Sequence, residues 1–143
     1  MENINCHSSF YQTFKKNMNE TGLPAPKELF GNAVTAIASI KTMLGALDKL
    51  GKAATVAELV GATTILEGLD TVLALSAGYY IGACIGSLAV ATAESLDRAI
   101  ICRTASISHK SHAIIRFAWK NDIYRPWLNE LYLSNPRLLG VAA

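Results

Sequence analysis

The feature that most constrains this chain is one uncharged apolar run. It covers residues 71–93, TVLALSAGYYIGACIGSLAVATA, and lies between Asp70 and Glu94. As a helix rising about 1.5 Å per residue it would extend roughly 35 Å, enough to cross the ~30 Å hydrocarbon core of a bilayer. Such a run is expected either to span a membrane or to form the buried central helix of a folded domain.

Glycines repeat inside this run with helical spacing. Gly78, Gly82 and Gly86 are four residues apart and form a doubled GxxxG, a small-residue strip that lets another backbone approach closely. Each glycine in a soluble helix interior costs about 1 kcal/mol relative to alanine, so the strip predicts a compensating helix–helix contact. Ala74 falls on the same i+4 row, and Gly61 belongs to a further small-residue pair.

Acidic residues lie at both ends of this row. If several copies associated through the strip, Asp70 or Glu94 would ring the mouths of a channel, with Glu67 close by in sequence. Carboxylate rings favour cations, which predicts a cation-favouring pore. The alternative is that both acids simply mark where the helix leaves the apolar phase.

The charges are distributed unevenly along the chain. Residues 1–52 hold six basic and four acidic residues, 53–93 hold three acidic and no basic residues, and 94–143 hold seven basic and four acidic residues. This layout is typical of a segment that meets lipid head groups on both sides, although a buried helix with solvated ends produces it too. The net charge of +2 is too small to indicate nucleic acid as a partner.

Apolar periodicity predicts an all-α fold: a small helical bundle around a hydrophobic helical hairpin with a glycine-zipper helix. A single domain over 1–143 would contain an N-terminal amphipathic helix and linker (1–26), a second amphipathic helix (27–52), the hairpin (53–103) and basic-aromatic C-terminal helices (104–143). Gly51, directly after Leu50, is placed to end the second helix. Thr55 and Glu58 form a capping box that begins the hairpin. Residues 67–70, EGLD, are expected to turn; otherwise 55–96 would be one helix about 60 Å long.

The second half of the chain has a less regular pattern. The glycine-striped helix is expected to run on to Arg103, followed by a polar connector over 104–112 and short helices over 113–122 and 125–133. Aromatic and basic side chains are interleaved there: Trp119, Tyr124, Trp127 and Tyr132 with Arg116, Lys120 and Arg125. A membrane–water interface selects this mixture, and a small helical core with a basic rim would show it equally.

No catalytic or metal-binding pattern is present. Cys6, Cys84 and Cys102 show no close pairing, which fits synthesis in a reducing cytoplasm, and the His and Cys spacings match no common zinc site. No nucleophile–base arrangement or phosphate-binding loop appears. The expected protein is therefore not an enzyme and needs no metal or cofactor. The N-terminus lacks an apolar signal-peptide core, so secretion would need another route.

The glycine strip, the missing signal peptide and the small size together resemble the small pore-forming antibacterial effectors of type VI secretion systems. The resemblance implies a toxin made in the cytoplasm, carried and stabilised by the hexameric ring of the secretion tube. It would act at the inner membrane of the target cell, where it self-associates into ion-conducting pores. A membrane-embedded immunity protein would protect the producer. Only Gly78, Gly82 and Gly86, with Gly61 less directly, match the zipper motif.

Two other classes of protein stay open at this point. One is a resident small membrane protein, such as an immunity or holin-like factor. The other is a soluble helical interaction module in which the glycine strip is a protein–protein contact surface. The pore-forming toxin is the favoured hypothesis, because the chain can fold as a bundle in water and open when a bilayer offers a better solvent for its apolar run.

Overall fold

A computed structural model describes residues 10–25, 33–51, 53–62, 73–92 and 107–139. In these ranges the fold is all-α, as predicted, with one isolated β-bridge and no β-strand. Six α-helices are followed by a 3₁₀ helix: α1 Phe10–Glu20, α2 Ala33–Leu50, α3 Val56–Ala62, α4 Ala77–Thr92, α5 Ile107–Lys120, α6 Trp127–Ser134, and the 3₁₀ helix Pro136–Leu139.

Helix α4 is the centre of the fold. It contacts α1, α2, α3, α5, α6 and the 3₁₀ helix, and every residue from Tyr80 to Ala91 is buried. A helix at the surface of a domain buries only one stripe, so this pattern is that of a helix enclosed on all sides. The apolar run therefore supplies the buried central helix, one of the two expected outcomes.

Helix α4 is shorter than the apolar run that contains it. Its 16 residues extend roughly 24 Å, and none of the helices in the described ranges combines the length and the apolar character that crossing a bilayer requires. The expected helix start at residue 71 is wrong, because residues 73–76 form a turn and a bend before α4 begins.

Backbone pairing explains where α4 begins. Val56 N–H donates to the Leu75 carbonyl at 2.8 Å, and Ala57 N–H donates to the Leu73 carbonyl at 3.0 Å. Because these two carbonyls accept hydrogen bonds from the start of α3, they are not available for the hydrogen bonds of a helical turn over residues 73–76. Ser76 then caps α4 by accepting the Tyr79 N–H at 3.3 Å.

The hairpin prediction is partly resolved by these contacts. The non-helical residues 73–76 rule out a single helix over 55–96, and α3 packs against α4. The capping box is confirmed: Thr55 N–H donates to Glu58 Oε1 at 2.9 Å, and Glu58 N–H donates to Thr55 Oγ1 at 3.3 Å. The expected turn at 67–70 lies outside the described residues.

The two N-terminal helices pack amphipathic faces on α4. α1 buries Phe14 and Met18, and α2 buries Ile40, Met43 and Leu44 among others. Glycines in the left-handed region follow both helices, Gly22 with φ +82° and Gly51 with φ +95°. A glycine after Leu50 was predicted to end α2 in this way, and the structure confirms it.

Helix α5 begins earlier than its sequence suggests. Residues 107–112 were expected to be a polar connector, and instead they form the first turns of α5. Its inner side is buried, including Ser111, Ile114 and Ala118, and packs against α4. Packing against a neighbouring helix outweighs the weak helix propensity of serine and histidine, which is why composition alone misplaced this boundary.

Candidate functional site

The glycine strip of α4 is covered by the C-terminal part of the same chain. We call residues 127–138, which comprise α6 and most of the 3₁₀ helix, the C-terminal cover. A Cβ added at Gly78 would lie 3.6 Å from Trp127 Cζ3, one at Gly82 would collide with the Leu131 side chain, and one at Gly86 would lie 2.6 Å from the Leu138 carbonyl oxygen. The strip therefore makes the close contact that its spacing predicted, but within one chain.

The three contacts differ in how close the cover comes to the glycine and in whether a side chain or the backbone makes the contact. At Gly78 the indole of Trp127 lies at ordinary van der Waals distance. At Gly82 the notch holds the end of a flexible leucine side chain, whereas at Gly86 it receives backbone. A backbone carbonyl cannot rotate out of the way, so Gly86 is the position where the fold most needs a residue without a side chain.

A buried hydrogen bond fixes the middle of the cover. The Tyr132 hydroxyl donates to the Gly82 carbonyl oxygen at 2.6 Å, and the whole side chain is buried. Burial, chiefly through loss of water around the phenolate, raises the pKa of Tyr132, so the hydroxyl keeps its proton and its donor role. The acceptor is the carbonyl of a strip glycine, so the bond ties α6 to α4 at a defined register.

An ion pair just before the cover connects the C-terminal region to the N-terminal half. Arg125 lies just before α6, and its Nη2 is 2.7 Å from Asp48 Oδ2 while its Nε is 3.1 Å from Asp48 Oδ1. The hydrogen bonds from Arg125 lower the pKa of Asp48; burial opposes this effect, and the positive charge of Arg125 adds to it. With 49% of the Asp48 side chain exposed, this two-pronged pair fixes geometry more than it adds stability.

A shallow cleft opens beside the first glycine of the strip. It measures about 270 Å³ and lies where the start of α4 meets one face of α6. Its lining includes Gly78, Tyr79, Trp127, Glu130 and Leu131. The cleft adjoins the notch at Gly78, where an added Cβ would meet only ordinary van der Waals contacts.

The remaining predicted site residues lie in other elements or fall outside the described part of the chain. Ala74 was expected on the i+4 row of the helix; it lies in the turn before α4 and is exposed, because that segment pairs with α3. Gly61 lies in α3, the first helix of the predicted hairpin, where its small-residue pair was expected. Asp70, Glu94 and Glu67, the three predicted pore-mouth acids, lie outside the described residues. Leu131 and Leu138, which fill the notches, carried no signal in the sequence that set them apart from other leucines.

The aromatic residues of the C-terminal region divide between a buried and a solvent-exposed environment. Tyr132 is buried and Trp127 is half-buried against Gly78, as in a small helical core. Trp119 is 63% exposed and stacks on Tyr124 with ring centroids 4.6 Å apart. The interleaved sequence pattern therefore comes from two structures, the inner face of α6 and the outer face of α5.

Cys84 lies on α4, fully buried in the core, which fits the packing role expected from its place in the apolar run. Among the described residues no three His, Cys, Asp or Glu side chains are grouped as metal ligands would be. Comparisons with known proteins add no identity, since no family model, curated protein or solved structure matches this chain.

Proposed function

We propose that this chain is a secreted antibacterial toxin that inserts into the inner membrane of a target cell and forms ion-conducting pores. The observation that carries the proposal is the state of α4: an uncharged helix, buried on all sides, whose glycine notches are filled by its own C-terminal cover. A helix of this composition is compatible with lipid, and its glycine strip suits contact with another helix once the cover has left.

The folded form solves a problem that such a helix has in water. An exposed apolar helix would present a large sticky patch, and the surrounding amphipathic helices remove it. In the presence of a bilayer the same helices can lie in the interface, where their apolar faces meet lipid instead of α4. The bundle is thus the carried form, and the inserted form is reached by opening it.

Insertion requires α4 to lengthen. If residues 73–76 joined the helix, it would have about 20 residues and extend roughly 30 Å, close to the thickness of the hydrocarbon core. This needs the Val56 and Ala57 N–H groups to give up the Leu75 and Leu73 carbonyls. The pairing between the starts of α3 and α4 is therefore the contact that must break for the helix to reach across.

The delivery route belongs to the same proposal. A buried apolar helix that must stay covered until it meets the target membrane suits transport inside a hexameric secretion-tube ring. The producing cell would need a membrane-embedded immunity protein, because the toxin could also enter the producer's own inner membrane. Self-association of several α4 helices through the strip would then form the conducting species, with cations favoured if Asp70 or Glu94 line its mouths.

The decisive measurement is conductance of the purified protein in a planar bilayer, with Gly78→Ala as the test variant. A Cβ at Gly78 meets only ordinary contacts in the bundle, so this variant should fold. In the membrane it thickens the strip, and we expect a several-fold fall in conductance. Gly45→Ala is the matched control: this α2 glycine has nothing within 4 Å of an added Cβ, and its conductance should stay unchanged.

Each result has a clear consequence. Discrete conductance steps that weaken in Gly78→Ala and persist in Gly45→Ala support the pore. A wild-type protein that leaves bilayers and dye-loaded vesicles sealed overturns it, and the interaction module then becomes the better description. Recovery of the protein in the membrane fraction of its own producing cell would instead indicate a resident membrane protein.

A further inference from the structure

We propose that the outward face of α5 is a docking surface for anionic lipid, and that it holds the folded protein on the target membrane before α4 is released. This inference rests on the proposed function and names the first partner of the bundle. The surface consists of His112, Arg116, Trp119 and Lys120, to which Tyr124 is joined by stacking; we call it the α5 outer face.

The four helical residues occupy one side of α5. Their positions differ by four, seven and eight residues from His112, which places them on one stripe of a helix, and all four are exposed. The opposite side packs on α4 through Ile114 and its neighbours. The packing of α5 on the core thus fixes the orientation of the helix, and the α5 outer face is exposed to solvent in the folded bundle.

Charge on this helix has one sign. The α5 sequence contains Lys110, Arg116 and Lys120 and no acidic residue. The nearest acid in sequence is Asp122, which is exposed two residues beyond the end of the helix. A helix that carries basic and no acidic residues fits a surface of negative charge, since each lysine or arginine near an anionic bilayer strengthens binding.

The aromatic pair selects lipid over other anionic partners. Trp119 leaves 63% of its surface in water although it stacks on Tyr124, at 4.6 Å between ring centroids and 15° between planes. Indole and phenol rings favour the head-group region, where the ring body meets acyl chains and the polar group meets water. A phosphate backbone would gain from Arg116 and Lys120 but less from a flat stacked pair held at a helix end.

The test measures binding of the full chain to vesicles of phosphatidylglycerol and of phosphatidylcholine by co-sedimentation, with dye release recorded separately. We expect binding to the anionic vesicles that weakens as salt rises. Lys120→Gln should weaken it about fivefold, while Lys41→Gln, which removes the same charge from an exposed position on α2, should change it by less than about twofold.

Tryptophan emission provides a second measurement on the same samples. The chain has two tryptophans, so a blue shift on anionic vesicles that is present in the wild type and absent in Trp119→Phe assigns the contact to Trp119. Trp119→Ala should weaken binding, and Leu133→Ala, which trims a comparably exposed side chain on α6, should not.

Several outcomes would overturn the docking surface. They are equal losses for Lys120→Gln and Lys41→Gln, an unshifted Trp119, or binding of a duplex DNA oligonucleotide that depends on these residues while vesicles are ignored. The pore proposal fails separately: vesicles bound through the α5 outer face but left sealed would remove the pore and keep the docking surface. Dye release that is unchanged by Lys120→Gln and by Trp119→Ala would remove the docking surface and keep the pore.

Discussion

At the scale of single residues, the glycines of α4 rank by what a methyl group would meet. Gly86 faces a backbone carbonyl, Gly82 the end of a leucine side chain, and Gly78 an indole at ordinary distance. Alanine improves helix propensity by about 1 kcal/mol at each site, so the sign of the net effect is decided by the neighbour.

Gly86→Ala should therefore lower the free energy of unfolding, by about 1–3 kcal/mol as for other overpacked cores, because the Leu138 carbonyl can move only with the 3₁₀ helix. Gly82→Ala should cost less, since Leu131 is half-buried beside an open cleft and can rotate. Gly45→Ala should be neutral or stabilising. Urea unfolding of the three variants checks the order, and a Gly86→Ala protein as stable as Gly45→Ala would contradict it.

Residue spacing predicted that the strip is a contact surface but not which element makes the contact. The sequence places Gly78, Gly82 and Gly86 in one row whatever the partner, and a second copy of α4 was the natural candidate. In the structure the partner is the chain's own cover. Which leucine fills a notch depends on how two distant segments meet, and nothing local to Leu131 or Leu138 reports it.

At the scale of elements, α6 acts as a cover because only one side of it faces α4. Leu128 and Tyr132 are fully buried, Leu131 is half-buried in the Gly82 notch, and Leu133 is 62% exposed. Leu131 and Leu133 are two residues apart on the same helix, and only Leu131 contacts the strip. Replacing each by alanine therefore removes the same group from two different environments.

Leu131→Ala should loosen the cover and speed dye release from anionic vesicles, while Leu133→Ala should leave the rate unchanged. Loss of the half-buried leucine should cost roughly 1–2 kcal/mol of unfolding free energy, below the 2–5 kcal/mol of a fully buried one. Ile40→Val on α2 is the control for general destabilisation, since Ile40 is buried, the change costs a similar amount, and the residue is not part of the cover. Equal acceleration by Ile40→Val would show that global stability, not the cover, limits release.

Local signals placed the elements well where the deciding contacts are local. The capping box at Thr55 and the glycine end of α2 involve residues within four positions of each other, and both were predicted. The start of α4 was missed because it depends on pairing between Leu75 and Val56, which are far apart in sequence. The first turn of α5 was missed for a similar reason, since Ser111 becomes helical through packing on α4.

At the scale of the whole molecule, two polar contacts among the described residues join the C-terminal region to the rest. One is the Tyr132 hydrogen bond to Gly82, which is buried and loses nothing to solvent. The other is the ion pair between Arg125 and Asp48, which joins positions 77 residues apart and lies in partial contact with water. The exposed ion pair is therefore the contact that a change in pH or salt can weaken.

Low pH should weaken the ion pair between Arg125 and Asp48. The pKa of Asp48 is held below its usual value by Arg125, so the folded state binds the proton less readily than the unfolded chain. The pair's contribution is therefore complete above the unfolded pKa near 4 and is lost as the pH falls through the lower folded value. Because the pair is partly exposed to solvent, we expect it to contribute about 0.5 kcal/mol to the free energy of unfolding.

A double-mutant cycle with Asp48→Asn and Arg125→Gln isolates this contribution from the other carboxylates that titrate in the same range. We expect a coupling of about 0.5 kcal/mol in thermal unfolding at pH 7, reduced by 0.5 M salt and absent at pH 2. Glu58→Gln, which removes an acid from the α3 cap, is the comparison that should leave the coupling intact. A coupling that persists at pH 2 would mean that the two side chains interact through packing rather than through their opposite charges.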